Sequence, residues 1–335
     1  MKRICIIHLN QIGDFVFSLP LLKALKENWP ESKIDSVLRS HLEELLALSP
    51  YGGKALCRKR DIRSKLKLLK EIRQNRYDLV IALSNSVESL LLTLFSRARI
   101  KAGFANFPWD LGLDIKEKVE GPPGCSNNDK LLRRLNLNVR KQDYLGLMTL
   151  PPQANGRKLI ESKERYVVVS PGTSPRRRMK AWEEDKFAEL ILWLQERCDL
   201  HPVLVGDKDS EEMNARIIDF AKEKDARRKM ASIRNLTGKL GLRELCYLLK
   251  DAALFVGVDS GVMHLASSFD VRVVGIFGPT DPFYVGPQNP RSIVVREEMD
   301  CSPCYLKGCE ERSCLKRLEV RKVFDACEKL LNGWG

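Results

Sequence analysis

The sequence predicts an α/β protein built from two Rossmann-like, doubly wound parallel-sheet domains. Three observations carry this. Apolar runs of strand length alternate with amphipathic helical stretches, the alternation lapses once at 151–164 where Pro, Gly and charge dominate, and unusual loops recur directly after strands. At 335 residues the chain exceeds one ordinary hydrophobic core, and two domains of about 150 residues suit it better. The expected domains are 1–152 and 165–335, with a linker at about 153–164 and a last helix that packs back on the N-terminal domain. Ligands of open parallel sheets bind beyond the carboxyl ends of the strands, so two such sheets are expected to face a central cleft.

In the first half "RICIIHL" (3–9) is a strand and "NQIGD" (10–14) the turn after it, while Phe15, Leu19, Leu22 and Leu25 mark one side of the next helix. "DLVIALS" (78–84) is a strand, "SVESLLLTLF" (86–95) its helix, and "RIKAGF" (99–104) a further strand. The second half repeats the rhythm with strand 165–171, a basic loop, helix 185–197, strand 201–207 and helix 210–223. After "NLTG" come helix 242–252, strand 253–259, helix 262–269 and strand 272–278, with "PTDP" beyond.

The composition, 44% apolar and 30% charged, is that of a soluble globular protein. Met1-Lys2-Arg3 leads into a short apolar run without a small-residue cleavage site, and stretches such as 90–95 fall far short of the roughly 20 residues of a membrane helix. A cytoplasmic location is expected. The net charge of +13 points to an acidic partner: phosphates, an anionic membrane surface or nucleic acid. Residues 54–76 hold ten Lys or Arg against two acids, with Leu66, Leu69 and Ile72 at helical spacing. That is either a solvated basic helix face or a patch that receives an acidic substrate or a lipid surface. No aromatic residue interrupts it before Tyr77 and no recognition motif accompanies it, so nucleic acid is not expected.

Of the ten cysteines, Cys5, Cys57, Cys125, Cys198, Cys246 and Cys327 fall at strand or helix positions and are expected to be buried, reduced thiols. Cys301, Cys304, Cys309 and Cys314 follow C-x2-C-x4-C-x4-C. This is the layout either of a compact structural zinc or iron–sulfur site or of an unliganded loop.

The chemistry-bearing residues share one topological place, the loop after a strand. Gly13-Asp14, Gly172-Thr173-Ser174, Gly206-Asp207, Asp259-Ser260-Gly261 and Gly278-Pro279-Thr280 all stand there. Asp14 can cap a helix or take a proton from an acceptor hydroxyl, and spacing alone favours the cap. "SPGTSPRRRMKAW" supplies hydroxyls, a glycine and four cations (Arg176, Arg177, Arg178, Lys180), the parts of a phosphate site. At Ser260-Gly261 a helix start offers free N–H groups and a positive dipole end to an anion, although Asp and Ser are also ordinary caps. His264 is either a core histidine or a further donor to that anion.

Taken in order, "HLNQIGDFVFSLPLLKALK", "DLVIALSNS", "RIKAGF", "VVVSPGTS…KAW", "VGDKDSE", "NLTGKLGLRELCYLLKDAALFVGVDSGVMHLA" and "VVGIFGPTDP" resemble glycosyltransferase family 9. These are the heptosyltransferases of the lipopolysaccharide inner core. The resemblance covers nearly the whole chain, and D-[ST]-G-x-x-H-L-A with FGPTDP is its most specific part. It implies a GT-B fold and inverting transfer from a nucleotide sugar, ADP-heptose above all, with no catalytic metal or other cofactor required. The implied acceptor is an anionic lipid-linked saccharide, reached by transient contact with the inner face of the inner membrane.

By the same resemblance Asp14 is the general base, while Thr173, Ser174 and Lys180 hold the donor diphosphate, Lys180 offsetting charge on the departing nucleotide. Glu212, rather than Glu211, bonds the donor ribose, and Asp259 lies near the sugar hydroxyls. The backbone N–H groups of Ser260, Gly261 and Val262, with His264, form the diphosphate cradle. Asn10, Gln11, Gly13 and Lys101 are the implied acceptor-side positions, although His8, Asn10 and Gln11 stand where the family carries a basic and small hydroxyl residues. "CSPC" recurs in the family without an assigned metal role. Two other readings are a nucleotide-sugar 2-epimerase of the same fold class and a non-catalytic protein that binds nucleic acid or membrane through its basic stretch.

Overall fold

Apolar β-branched runs buried on both faces make parallel strands, and helices must cover those faces. The computed structural model describes residues 2–9, 11–121, 124–139, 143–152, 156–160, 164–173, 175–225, 233–305 and 309–333. It divides into two units, Met1–Thr149 and Leu150–Gly335.

In the first unit β1 (Arg3–Ile7), α1 (Ile12–Asn28), β2 (Lys33–Leu38), α2 (Glu43–Leu46), β3 (Ala55–Cys57) and α3 (Ile62–Asn75) are followed by β4 (Leu79–Ala82), α4 (Val87–Leu94), β5 (Ile100–Phe104), β6 (Ile115–Glu117) and α5 (Cys125–Arg134). The second begins with α6 (Arg157–Ile160), β7 (Tyr166–Ser170), α7 (Glu184–Cys198), β8 (His201–Leu204), α8 (Glu211–Lys224) and β9 (Arg234–Asn235). It continues through α9 (Leu242–Lys250), β10 (Leu254–Val258), α10 (Gly261–Ser268), β11 (Val273–Phe277), α11 (Pro282–Val285), β12 (Ser292–Arg296), α12 (Ser313–Lys316) and α13 (Val320–Leu331).

Each unit holds one six-stranded sheet, in orders β3-β2-β1-β4-β5-β6 and β12-β11-β10-β7-β8-β9, and every pairing is parallel. Counted within its own unit, each order is 3-2-1-4-5-6. The winding therefore reverses between β1 and β4 and again between β7 and β10, and a crevice opens there at the carboxyl edge. Ile4–Ile7 and Val167–Val169 are fully buried, as strands covered on both faces must be.

Several elements differ from expectation. The sequence pattern does not show the strands β2, β3, β6, β9 and β12. "KIDSVL" interleaves Lys33, Asp35 and Ser36 with its apolar residues, and β3 and β6 span three residues each, too few to show a period. In α3 the core stripe is Leu68, Leu69 and Ile72, whereas Leu66 points into solvent. Asp61, which accepts from the Ser64 N–H, caps this helix at Ile62. Cys57 and Cys198 are half-buried, not buried. No disulfide joins any of the ten cysteines.

The last helix, expected to return to the N-terminal half, spends its apolar face on the second unit's own core. Val320, Val323, Phe324, Cys327 and Leu330 join the strand residues Val256, Val274 and Val295 in one cluster. Phe324 meets Trp193 of α7 edge to face at 5.4 Å. Phe324→Ala should therefore destabilise the protein by about 3–5 kcal/mol, read as a lower denaturant midpoint.

Candidate active site

The second switch point collects charge. The loop after β7 runs through the 3-10 segment Pro175–Lys180, and Asp259 follows β10 directly. Lys180 and Asp259, both buried, form an ion pair. Thr280, buried on the loop after β11, donates its hydroxyl to the same Asp259 Oδ2 at 2.7 Å. Residues that resemblance assigns to opposite ends of a donor thus share one contact. Removing one member of such a buried pair strands the other charge, whereas removing both costs far less.

Beside this pair α10 begins. Ser260 is its N-cap in extended conformation, with no side-chain capping bond, and its Oγ is buried without a hydrogen-bond partner among the described residues. The N–H groups of the first helical turn, Gly261 and Val262 included, have no intrahelical carbonyl to bond. His264, one turn in, is buried, and that burial holds its imidazole down at about 4, with Asp259 pulling it up and Lys180 pushing it down. It is neutral at physiological pH and so presents one N–H donor and one acceptor. Thr173 donates its hydroxyl to the Arg177 carbonyl at 2.8 Å, stapling the loop to itself. Gly172 has a packing reason: a Cβ there would overlap the Ser210 hydroxyl.

The first switch point holds a different surface. Asp14, Phe17, Leu83, Ser84, Asn85, Phe104, Asn127 and Asn128 line an open hollow with about 440 Å³ of free space continuous with solvent. Asp14 is not the helix cap that its spacing favoured. Gln11 is the N-cap, and Asp14 sits in the first turn, where the helix dipole favours a carboxylate. Asn128 donates to the Phe17 carbonyl at 3.1 Å and Asn127 bonds the Glu120 backbone, so both amides are fixed by α1 and the segment before α5. His8 lies beneath, its ring nitrogens 2.9 and 3.1 Å from the Ser18 and Ser36 hydroxyls, and burial pushes it down to about 3. It is a core histidine.

Other expected residues lie apart. Gln11 is exposed and Gly13 half-buried beside Asp14. Lys101 is the second residue of β5, three residues or about 10 Å short of Phe104, and so stays below the hollow. Its backbone N–H is bonded by Asp114. Glu212 opens α8 at the carboxyl edge of the second sheet but is exposed and paired with Arg216, which also grips Glu184 at 2.6 and 2.7 Å. Asn10 and Ser174 lie outside the described residues, and of Arg177 and Arg178 both are exposed.

Among the described residues no group of three or more His, Cys, Asp or Glu side chains could hold a metal ion, the four clustered cysteines included. Cys314 is buried, and that burial, then Cys304, Cys301 and Cys309, pushes its thiol up. The loop carrying them serves the site as a brace. Ser302 donates to the Gly278 carbonyl at 2.6 Å, and the Cys304 and Tyr305 N–H groups to the Pro279 carbonyl at 3.1 and 2.9 Å, which fixes the turn bearing Thr280. Arg312 donates to the Ala181 carbonyl at 2.7 Å and pairs with Glu183, next to Lys180. Thr280 is singled out in the sequence only for its place after a strand, without a role, and Arg312 not at all. FGPTDP contained the first, but nothing local in the sequence marks the second.

Two Rossmann-like sheets of one strand order, with a hollow bearing Asp14 at one switch point and a cation beside a helix start at the other, are the parts of a two-domain glycosyltransferase of GT-B type. Residues 65–315 match glycosyltransferase family 9 (heptosyltransferase), and the chain belongs to that family. It is 27% identical over 344 residues to lipopolysaccharide heptosyltransferase 3 of Escherichia coli, covering 95% of each chain. Among solved structures it superposes on E. coli ADP-heptose lipopolysaccharide heptosyltransferase II with a TM-score of 0.82 at 22% identity, covering 99% of each chain. On an E. coli heptosyltransferase with ADP the TM-score is 0.77 at 20% identity, covering 98% of this chain and 99% of that one.

Two measurements check this geometry. Lys180→Met should destabilise the protein by about 3–5 kcal/mol, and adding Asp259→Asn should recover most of that in chemical denaturation. The pH dependence follows from His264. Its folded pKa, about 4, lies below the ordinary 6.5, so on acidification the unfolded chain binds the proton first and stability falls from about pH 6.5 towards 4. Thermal melts at pH 7 and 5 should show a smaller drop for His264→Gln than for the unaltered protein.

Proposed function

We propose that the protein transfers a heptose, with inversion, from ADP-heptose to an anionic lipid-linked saccharide of the lipopolysaccharide inner core. The observation that carries this reading is the buried Lys180–Asp259–Thr280 cluster beside the start of α10. It suits a nucleoside diphosphate as leaving group. A diphosphate needs fixed positive charge as the glycosidic bond breaks, and an ammonium next to free helix N–H groups supplies it without a catalytic metal. The ammonium carries three donors, so its pairing with Asp259 leaves others for phosphate oxygens. The Ser260 hydroxyl, without a hydrogen-bond partner among the described residues, adds a donor, Glu212 at the start of α8 is the proposed ribose ligand, and Thr173, Ser174 and His264 are assigned by resemblance.

In this reading Asp14 takes the proton of the acceptor hydroxyl as its oxygen bonds the anomeric carbon. The bond to the diphosphate breaks on the opposite side, and its electron pair leaves with the nucleotide. A single displacement of this kind inverts the anomeric centre. Gln11, Gly13 and, by resemblance, Asn10 flank the acceptor, and the enzyme works in the cytoplasm against the inner membrane. Among the described residues no helix is long and apolar enough to cross a membrane, which suits a peripheral enzyme.

The test is transfer from ADP-heptose to acceptors prepared from defined core mutants. Asp14→Asn should lower kcat by roughly 10²–10⁴-fold while ADP still protects the protein against heat. Lys180→Ala should lower both turnover and that protection. Unchanged turnover in Asp14→Asn would sink the general-base role, and free isomerised sugar released from donor alone would make the protein an epimerase.

A further inference from the structure

One face of the first sheet presents apolar side chains to solvent among uncompensated cations. Three elements lie side by side on it. α3 is joined to α4 by Lys65, which pairs with Glu88, and by Arg73, which donates to the Phe95 carbonyl at 2.8 Å, and Arg58, just after β3, pairs with the same Glu88. The segment 105–114 lies on the other side of α4. Leu113 packs with Leu90 and Leu94, and a Cβ on Gly112 would come within 2.7 Å of Leu94. The outer surface of this layer carries Ile62 (75% exposed) and Leu66 (62%) on α3, and Phe107 (78%), Trp109 (41%) and Leu111 (67%) on the segment.

These side chains are held outward by ordered structure. Asp110, between Trp109 and Leu111, is buried and paired with Lys116 at 3.5 Å, while Asn106 donates to the Asn85 carbonyl at 2.7 Å. On α3, Ile62 and Leu66 are four residues apart and share one stripe, with Arg63, Lys67 and Lys70 beside it and Lys59 and Arg60 just before the helix. All five of these cations are exposed, and no described carboxylate pairs with them. An apolar patch of this kind marks an interaction surface, and a basic rim selects an anionic partner. Aromatic and aliphatic side chains beside Lys and Arg suit the boundary between acyl chains and acidic headgroups. A second copy of the chain would instead bring two like-charged stripes together.

We infer that this layer, α3 with segment 105–114, docks the protein on the surface of an anionic lipid bilayer. The inference builds on the proposed lipid-linked acceptor and names the surface on which that acceptor is met. Asn85, bonded by Asn106, also lines the hollow of Asp14, so the docked layer adjoins the acceptor side.

Flotation of the full chain with vesicles tests it. The protein should float with phosphatidylethanolamine–phosphatidylglycerol vesicles, stay behind with pure phosphatidylcholine, and be released by high salt. The triple variant Phe107→Ser, Trp109→Ser, Leu111→Ser should bind at least about tenfold more weakly, and each of Arg63→Glu and Lys67→Glu at least about fivefold. All should keep full turnover on a deacylated, water-soluble acceptor. Failure of the unaltered protein to float, or variants that float as well as it does, would overturn the assignment. So would a triple variant that turns a dimer into a monomer in light scattering, which would make the occupant a second copy. Flotation is read on the protein without donor, so variants that lose it while no preparation transfers heptose uphold the surface and reject the proposed function alone.

Discussion

The molecule depends on one topological constraint met twice. Parallel strands place every strand end on one edge, and a 3-2-1-4-5-6 order forces the two central loops of that edge apart. Everything chemically distinctive lies at those two points. At the first, α1 starts immediately after β1 and carries Asp14 into a hollow floored by the residues that follow β4. At the second, the loop after β7 and the end of β10 bring Lys180 to Asp259 although 79 positions separate them in sequence. The fold supplies the juxtaposition, and residue chemistry supplies the rest.

The second point is also the more rigid by construction. Lys180 pairs with Asp259, Asp259 accepts from Thr280, and the turn bearing Thr280 is held by the backbone of Cys304 and Tyr305. Arg312 closes the circuit by bonding Ala181, the neighbour of Lys180. A buried charge is tolerable only when paired and hydrogen-bonded, so each link stabilises the position of the next. The cysteine-bearing loop works here through its main chain and one arginine.

Strands dominated by Val, Ile and Leu were legible because burial on both faces leaves an uninterrupted apolar run, as in β7 and β10. β2 was not, since Asp35 accepts from the Tyr77 hydroxyl at 2.6 Å and Ser36 meets His8, polar partners that only the tertiary structure reveals. The loops that bear Asp14, Lys180 and Asp259 could be placed from their position after strands, and their company along the chain made them a family pattern. What local pattern could not show was partnership. Nothing near Lys180 announces Asp259, and nothing near Arg312 announces Ala181. Depth along a strand is likewise hidden, since it is set by register, which pairs Lys101 with Val80 below the edge.

The seating of α13 in the second core bears on the order of manufacture. β7 leaves the ribosome early in that unit, yet the core face that β10, β11 and β12 share with α7 is completed only when Phe324 and Leu330 have been added. At translation rates of about 5–20 residues per second the interval from Tyr166 to Leu331 lasts roughly ten to thirty seconds. The first unit can complete its core while the ribosome is still working, whereas the second must wait as an open, sticky sheet until its closing helix arrives.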